Sequence, residues 1–406
     1  MAPCCYQGAA SPVNHIEIIL KVAERCNLNC RYCYFFNKEN KDFEDHPALI
    51  ATDTIHHLVR FLRSAPYDLS ETIFQIDIHG GEPLLMGTRR FSAMVSLISD
   101  GLHDAQDVRF TVQTNAVLIN DAWINVFEKH NIFVGISVDG TKAHHDANRI
   151  DRRGRGTYDS MVPKIAAIKK ASSERRIPGF GSICVVTPES DGRDTYIALA
   201  CQLGFDRMQF LFPDDTHDSF NVAHTAHYVK FVEDIFDCWE HDNRKVRIKL
   251  FDQTMRALLH DKTLRANNPG VSHADIVVFT VSSAGDLGHD DTLRNVVPEL
   301  FNSGMNVSAA AFPKFLAWHK MISRIVQPSY LATSCAACGW RNVCEDVSRS
   351  YTPLHRMQTR IANQPSIYCE ALQKVYGRSA SYLSKRGVPI QTISQNLNTL
   401  HVENVR

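Results

Sequence analysis

Seven of the twelve cysteines lie in two tight groups whose spacing is typical of metal or iron–sulfur ligands. The first group comprises Cys26, Cys30 and Cys33; the second comprises Cys335, Cys338, Cys344 and Cys369. Thiolates in such patterns bind zinc or iron–sulfur clusters, so the sequence predicts two metal centres, one near each end of the chain.

The N-terminal group offers three thiolates within eight residues, with no fourth cysteine close by. Structural zinc prefers four protein ligands, whereas a cluster held by three cysteines keeps one iron open to a small molecule. The spacing favours the cluster without excluding zinc. The C-terminal four could be the complete ligand set of a structural zinc ion or of a closed cluster.

Six short β-rich runs alternate with amphipathic stretches between residues 15 and 241. The predicted strands are His15–Val22, Thr72–Ile78, Val108–Gln113, Ile132–Val138, Gly179–Val186 and Met208–Phe212. The predicted helices lie near 52–64, 90–102, 121–130, 157–172, 192–203 and 225–241. Because parallel strands need long crossover connections, this alternation predicts an α/β barrel or half-barrel with helices outside. Such a fold places its chemistry at the carboxyl ends of the strands.

The composition is that of an ordinary globular protein, with 406 residues, 44% of them hydrophobic. The chain has 44 basic and 44 acidic residues, and this balance removes the electrostatic case for a nucleic-acid or anionic-membrane partner. No apolar run approaches the roughly 18 residues that span a bilayer, and the first fourteen residues lack a secretion-signal pattern. We therefore expect a cytoplasmic protein whose thiols stay reduced.

Glycine-rich and polar motifs follow the predicted strands at the end where the first cysteines also lie. They are Gly80-Gly81-Glu82-Pro83, Thr114-Asn115, Ser137-Val138-Asp139-Gly140, His145-Asp146 with Arg149, and Gly154-x-Gly156-Thr157-Tyr158. Paired glycines let backbone groups approach a ligand closely, and a glutamate beside them can accept from a cationic amine. Taken singly, each motif has a plainer explanation as a turn or a helix cap.

Together with the run CNLNCRYCY, these motifs resemble, in order, the landmarks of the radical S-adenosylmethionine (SAM) superfamily. The resemblance covers residues 15 to about 215 and implies a partial (β/α)6 radical SAM barrel. It implies that Cys26, Cys30 and Cys33 hold a [4Fe–4S] cluster whose open iron binds SAM. The SAM-binding residues that it implies are Gly80, Gly81, Glu82, Pro83, Asn115, Ser137, Arg149 and Tyr32.

The C-terminal cysteines resemble the SPASM-type auxiliary-cluster domain of radical SAM peptide maturases. The full family pattern holds two auxiliary clusters, but Ser348 stands here at one ligand position. Between Cys238 and Cys335 the chain has no cysteine, and His289 lies where one is usual. The resemblance therefore implies one auxiliary [4Fe–4S] cluster, with structural zinc as the alternative, and His289 is expected on a surface loop. Its ligands would be Cys335, Cys338, Cys344 and Cys369.

The predicted organisation is a barrel followed by a small cysteine-rich module. The predicted boundaries are 1–14 for a flexible N-terminus, 15–241 for the barrel, 242–334 for a bridge, 335–376 for the auxiliary-cluster module and 377–406 for a tail. The bridge carries acidic candidates for a general base, Asp286, Asp290 and Asp291, which we expect to be exposed loop carboxylates. No catalytic residue is assigned from the sequence.

The resemblance implies an oxidoreductase in which a 5′-deoxyadenosyl radical removes a hydrogen atom from a substrate. The sequence around the first cysteines most resembles that of maturases that crosslink ribosomal precursor peptides into cyclophanes. We therefore predict peptide crosslinking, with a ribosomally made precursor peptide and a one-electron reductant such as flavodoxin or ferredoxin as partners. Two alternatives stay open. One is a sulfatase maturase making formylglycine, against which the missing bridge cysteines count; the other is a non-catalytic zinc-binding interaction protein.

Overall fold

The computed structural model describes residues 14–259, 276–295, 297–326, 333–348 and 364–397. Ten strands in these ranges form one sheet. They are β1 (Asn14–Ala23), β2 (Thr72–Gly80), β3 (Asp107–Thr114), β4 (Phe133–Ser137), β5 (Phe180–Val185), β6 (Arg207–Leu211), β7 (Arg247–Ile248), β8 (Ile276–Val281), β9 (Asp286–Gly288) and β10 (Asn302–Asn306). The predicted N-terminal segment 1–14, apart from Asn14, and the end of the predicted tail lie outside the described residues.

The strand order is β10-β9-β8-β1-β2-β3-β4-β5-β6-β7. The pairs from β8 through β1 to β7 are all parallel, whereas β9 and β10 are antiparallel additions at one edge. The α/β fold predicted from the alternating pattern is confirmed, and each of the six predicted strands is present within two residues of its expected ends.

The described residues form fourteen α-helices. They are α1 (Thr52–Arg63), α2 (Thr88–Gly101), α3 (Asp121–Lys129), α4 (Lys142–Asn148), α5 (Tyr158–Ser173), α6 (Gly192–Tyr196) with a π-helix at Ile197–Leu203, α7 (Thr225–Glu240), α8 (Lys249–Leu259), α9 (Pro298–Phe301), α10 (Phe312–Val326), α11 (Thr333–Ala336), α12 (Arg341–Ser348), α13 (Cys369–Lys385) and α14 (Ile390–Ser394). Within the described ranges, no helix is both long and apolar enough to cross a membrane.

The first strand shows how the sequence separates the two faces of the sheet. Ile16, Ile18 and Leu20 of β1 are fully buried in the core beneath the helices. Because successive side chains of a strand point to opposite faces, Glu17 and Lys21 lie on the other, inner face. The hydrophobic outer face thus anchors the strand, and the inner face is left free to carry polar groups.

The predicted bridge contributes a central strand to the sheet. Its segment IVVFTV forms β8, which pairs in parallel with β1. A continuous apolar run of this kind is typical of a parallel strand buried on both faces. Phe279 of β8 is fully buried, and its ring centroid lies 6.1 Å from that of Phe61, 6.0 Å from Phe312 and 4.9 Å from Phe315. The bridge is therefore packed into the same core as the barrel.

We expect Phe279→Ala to lower the free energy of unfolding by about 3–5 kcal/mol, because it leaves a cavity among three aromatic rings. Phe279→Leu, which refills most of that volume, serves as the control and should cost less. Urea denaturation followed by circular dichroism measures both. An unfolding midpoint that Phe279→Ala leaves unchanged would show that β8 does not share the stability of the barrel core.

Candidate functional site

The first three cysteines lie on the loop that follows the carboxyl end of β1. The Cys33 N–H donates to the Cys30 carbonyl oxygen at 3.0 Å. Burial raises the pKa of the Cys26 thiol to about 12 and that of Cys30 to about 11, and the neighbouring thiols of the loop add to both shifts. Thiolates are the ligands of zinc and of iron–sulfur clusters, so a metal group that binds here must displace these protons.

The two glycines of the GGEP motif lie against the backbone that leads into the cysteine loop. The Gly81 N–H donates to the Ala23 carbonyl oxygen at 2.6 Å. A Cβ on Gly80 would lie 2.2 Å from the Ala23 carbonyl oxygen, and one on Gly81 would lie 2.2 Å from that of Arg25. Gly80 also has a φ of +134°. Only glycine permits this approach, so the motif positions the start of the cysteine loop.

Glu82 is fully buried and joins the GGEP motif to the Thr-Asn motif after β3. Its carboxylate accepts from the Leu84 N–H at 3.0 Å, the Thr114 hydroxyl at 2.7 Å and the Asn115 N–H at 2.9 Å. Burial raises the pKa of Glu82 to about 7, although these hydrogen bonds oppose the shift. Pro83 is buried and begins a short 3-10 helix. The expected contact of these residues with the amino group of SAM stays a prediction.

Asn115 and Ser137 lie at the ends of neighbouring strands. The Asn115 side chain donates to the Asn27 side chain at 2.8 Å, and its nitrogen lies 3.9 Å from the Cys26 sulfur. Ser137 accepts from the Gln113 side chain at 2.8 Å. The structure therefore brings Asn115 directly to the cysteine loop, whereas Ser137 lies one strand away. Their contacts with SAM remain predictions.

Arg149 and Tyr32 meet at a buried aspartate that was not among the predicted site residues. Arg149 Nε lies 2.9 Å from Asp139 Oδ2, Arg149 Nη2 lies 3.2 Å from Oδ1, and the Tyr32 hydroxyl donates to the same carboxylate. The guanidinium carbon lies 5.4 Å from the Tyr32 ring centroid. Arg149 is thus a buried ion-pair partner instead of a solvated surface charge. The signal that could have indicated this pair is the aspartate of the motif after β4 with an arginine ten positions later.

The motif residues around positions 145 and 157 lock a turn beside that pair. His145 is buried, and its Nε2 lies 3.1 Å from the Thr157 hydroxyl. Asp146 accepts from the Tyr158 N–H at 2.9 Å, and a Cβ on Gly156 would overlap the Asp146 carboxylate. Burial lowers the pKa of His145 to about 4, so the imidazole is neutral at pH 7. These residues build the turn between α4 and α5.

A second polar cluster lies on the inner face where β1 and β2 end. Lys21 Nζ lies 2.5 Å from Asp291 Oδ2, 2.9 Å from the Tyr34 hydroxyl and 3.2 Å from His79 Nδ1. The Tyr34 hydroxyl also donates to Asp291. Burial would raise the pKa of Asp291, but Lys21 and His79 lower it. The expectation that Asp291 is an exposed loop carboxylate is wrong, since Lys21 draws it into the interior.

Two further carboxyl groups near this cluster have raised pKa values. Asp290 is half-buried, and burial raises its pKa although it accepts from the N–H and hydroxyl of Thr292. Asp214 follows β6, and burial together with Asp291 raises its pKa to about 7. The environment therefore keeps Asp291 ionised and prepares Asp214 to take up a proton near neutrality. Asp214 was missed by sequence reasoning, although its position after the sixth strand could have indicated it.

His46 connects the cysteine loop to β9 through two carboxylates. Its Nδ1 lies 2.7 Å from Glu24, and its Nε2 lies 3.3 Å from Asp286. Burial alone would lower the pKa of His46, but the two carboxylates raise it to about 10. Asp286 lies in β9 and not on a loop, its side chain is only partly exposed, and its pKa is lowered by His46. Protonated His46 thus holds the segment after the cysteines against the bridge.

His289 packs in the protein interior, so its expected place on a surface loop is wrong. Its exposure is 7%, and its ring stacks on that of His319 with centroids 4.3 Å apart. Its Nε2 lies 3.0 Å from the Ser323 hydroxyl. Burial and His319 lower the pKa of His289 to about 3. The stacked rings of His289 and His319 pack between the end of β9 and α10.

The four C-terminal cysteines line one cavity. Its walls are formed by Cys335, Cys338, Cys344 and Cys369 with Trp340, Arg341, Ser366, Leu372, Gln373 and Tyr376. The Gln373 side chain donates to the Cys369 sulfur at 3.4 Å. Burial and the other three thiols raise the pKa of Cys369 to about 11. Four thiols are a possible donor set for a metal group, although among the described residues no three His, Cys, Asp or Glu side chains lie close enough together to hold a single metal ion.

Comparisons with known proteins agree with this geometry. The model of the Radical SAM superfamily matches residues 20–209. The cysteine-type anaerobic sulfatase-maturating enzyme of Clostridium novyi is 23% identical over 395 residues, covering 90% of this chain and 96% of the relative. The serine-type anaerobic sulfatase-maturating enzyme of Klebsiella aerogenes is 32% identical over 152 residues, covering 37% of this chain and 36% of the relative.

A solved structure of native anSMEcpe with bound AdoMet and Cp18Cys peptide has the same fold. Its TM-score is 0.72 at 19% identity, and the match covers 94% of this chain and 99% of that one. The chain therefore carries a radical SAM domain with a cysteine-rich C-terminal region. It is an enzyme whose cofactors are SAM and a [4Fe–4S] cluster.

We expect Gly81→Ala to displace the cysteine loop, because the new methyl group would overlap the Arg25 carbonyl oxygen. After anaerobic reconstitution the variant should retain about half of the iron bound by the parent, since one of two clusters would be lost. Gly377→Ala is the control, because its Cβ would meet no atom closer than 4.0 Å. Full iron content in Gly81→Ala would contradict the role given to the glycine.

The stability of the fold should depend on pH through His46. A histidine with a raised folded pKa stabilises the native state below its ordinary pKa of 6.5, and this contribution is lost as pH rises through about 10. We expect the free energy of unfolding to fall over that window more steeply in the parent than in His46→Gln. Parallel curves for the two proteins in chemical denaturation would rule out this linkage.

Proposed function

We propose that the protein is a radical SAM maturase that oxidises a side chain of a peptide or protein, in the manner of anaerobic sulfatase maturases. The observation that carries the proposal is the extent of the similarity. The Clostridium novyi relative aligns over 90% of this chain, although the superfamily model matches only residues 20–209. The likeness therefore extends beyond the part that a radical SAM domain explains, into the region of the second cysteine group.

This proposal replaces peptide crosslinking as the first choice. The crosslinking prediction rests only on the sequence around the first cysteines, whereas both relatives described above are sulfatase-maturating enzymes. Cyclophane formation stays the second candidate for one reason. Only four cysteines follow Cys238, and His289 and Ser348 stand where the two-auxiliary-cluster pattern has ligands.

The proposed reaction converts a cysteine or serine side chain into formylglycine. The β-carbon gives up a hydrogen atom, the thiol or hydroxyl group gives up a proton, and one electron leaves the substrate. Cysteine gives a thioaldehyde, which water hydrolyses to the aldehyde with release of hydrogen sulfide, and serine gives the aldehyde directly. When bound, SAM with the first cluster supplies the radical that accepts the hydrogen atom, and the second cluster accepts the electron. Cys26, Cys30 and Cys33 would hold the first cluster, and the four C-terminal cysteines one auxiliary cluster.

Asp214 is the residue that we place at the proton-transfer step. Its pKa of about 7 matches the task of a group that accepts a proton near neutral pH. Asp291 is less suited to the step because Lys21 keeps it ionised through an ion pair of 2.5 Å. The fixed pair of Lys21 and Asp291 instead supplies a polar wall beside the inner face, where the side chain of the substrate would be oriented.

The proposal is tested with two matched peptides that carry either cysteine or serine at one position, incubated with SAM and dithionite. Formylglycine appears as a hydrazine-reactive aldehyde in mass spectrometry. A crosslinked product would be lighter by two hydrogen atoms and would not react with hydrazine, which would favour the second candidate. A peptide left unchanged despite SAM cleavage would contradict both candidates.

Cysteine variants separate the two metal sites in the same assay. We expect Cys30→Ala to abolish SAM cleavage, whereas Cys369→Ala should retain some cleavage and lose aldehyde formation. Cys201→Ser, at an exposed cysteine outside both groups, is the control. Iron analysis of the parent should give about eight irons per chain. About four irons with one zinc would leave the radical chemistry in place and remove electron transfer from the second module.

A further inference from the structure

An exposed arginine hairpin covers the outer side of the cysteine loop. Leu28 of the loop pairs with Asp151 in an antiparallel bridge, and the Asn29 N–H donates to the Ile150 carbonyl oxygen at 2.8 Å. The Arg152 side chain donates to the carbonyl oxygen of Cys26 at 2.9 Å. The hairpin is therefore joined by backbone contacts to the loop that carries the first metal ligands.

One aspartate maintains the conformation of the hairpin through its hydrogen bonds. The Asp151 carboxylate accepts from the Arg153 N–H at 2.8 Å, from the Arg155 N–H at 2.9 Å and from the Arg155 side chain. Its own N–H donates to the Arg155 carbonyl oxygen at 2.8 Å. Residues 152–156 are nevertheless all exposed. The turn thus holds three arginines in a fixed, solvent-facing position.

The local charge at this point contrasts with the rest of the chain. The hairpin carries Arg152, Arg153 and Arg155 with one acidic residue, Asp151, and Arg31 lies on the adjoining cysteine loop, although the whole chain has a net charge of zero. In the parts of the chain that the structure describes, the side chains of Arg31 and Arg153 make none of the bonds that build the loop or hairpin. These two cations therefore have no evident structural task.

The described surface beside the second cysteine group has cations that are paired with carboxylates. Its exposed cations on α13 pair with carboxylates of α7: Lys374 lies 3.2 Å from Glu233, and Lys385 lies 3.4 Å from Glu240. Arg378 also pairs with Glu240, at 3.2 Å. Lys374 and Lys385 are thus partly neutralised, whereas the side chains of Arg31 and Arg153 are available to attract a partner selected by negative charge.

We propose that the arginine hairpin, together with Arg31, is the docking surface for a small acidic protein that carries a one-electron flavin or iron–sulfur centre. The inference rests on the proposed function, because it concerns how the first cluster is reduced. On docking, the centre of the carrier loses one electron and the cluster at Cys26, Cys30 and Cys33 gains it, with no proton transferred. Complementary charge accelerates such encounters, and added salt screens the attraction.

The test compares two electron sources, reduced flavodoxin at a limiting concentration and dithionite at a saturating one. In Arg31→Glu/Arg153→Glu, flavodoxin-driven SAM cleavage should fall on the order of tenfold or more at low salt, because steering charges act mainly on association. Dithionite-driven cleavage should be unchanged. In the parent, raising the salt concentration should bring the flavodoxin-driven rate down towards that of the variant.

The control is Lys320→Glu/Arg324→Glu, which makes the same change of charge on exposed positions of α10. It should leave both rates unchanged, and an equal loss in the control would overturn a localised docking surface. A parent-like flavodoxin-driven rate in the hairpin variant would also overturn it. Loss of the dithionite-driven rate would show that the hairpin serves only the structure of the loop.

Direct titration of the chain with flavodoxin keeps the inference separate from the proposed function. The dissociation constant should increase on the order of tenfold in the hairpin variant and stay unchanged in the control. If the parent cleaves no SAM even with dithionite, the proposed function fails, yet this titration still decides whether the surface binds the carrier. Equal dissociation constants for parent and hairpin variant would overturn the docking surface whatever the activity.

Discussion

The structure of the site depends on a close approach between two backbones. The chain at Gly80 and Gly81 lies so near the carbonyl groups of Ala23 and Arg25 that neither position has room for a Cβ. This contact determines where β1 ends and in which direction the cysteine loop leaves it. The buried Glu82 carboxylate then ties the same turn to the end of β3. Residues from three strands are thereby held in one arrangement.

Buried charge pairs extend this arrangement across the inner face. Asp139 forms an ion pair with Arg149 and accepts a hydrogen bond from Tyr32. Asp291 forms an ion pair with Lys21. Removing one partner of a buried pair leaves an uncompensated charge, so such pairs bind their segments to one geometry even where their net contribution to stability is small. The pair of Lys21 and Asp291 is the more far-reaching one, because it joins the first strand to a segment 270 residues later.

Much of the fold could be predicted from the sequence because its signals are local. Each of the first six strands is an apolar run bounded by turn residues, and each motif follows a strand directly. The segment that forms β8 has an equally clear apolar pattern, yet it lies within the predicted bridge, since nothing local shows that it pairs with β1. Its place depends on aromatic packing between Phe279, Phe61 and Phe315, which are distant in sequence.

The candidate site likewise has a part that the sequence predicts and a part that depends on contacts between distant segments. Spacing predicted both cysteine groups, and the four C-terminal thiols do line one cavity. The ionisation of the inner face could not be predicted, because it depends on burial and on partners from distant segments. The run GHDD predicts exposed loop residues at His289 and Asp291, but both are buried, His289 against His319 and Asp291 against Lys21. Asp214 has no motif, and its raised pKa arises from its surroundings alone.

The position of β8 beside β1 has a consequence for the nascent chain on the ribosome. The first strand finds β2 early, but its other edge is completed only after more than two hundred further residues have been made. Throughout that interval β1 presents an unpaired, largely apolar edge, which is the kind of surface that associates with other chains. Synthesis of the barrel therefore includes a long period in which its central strand needs protection, and chaperone demand should decline once residues 276–281 have emerged.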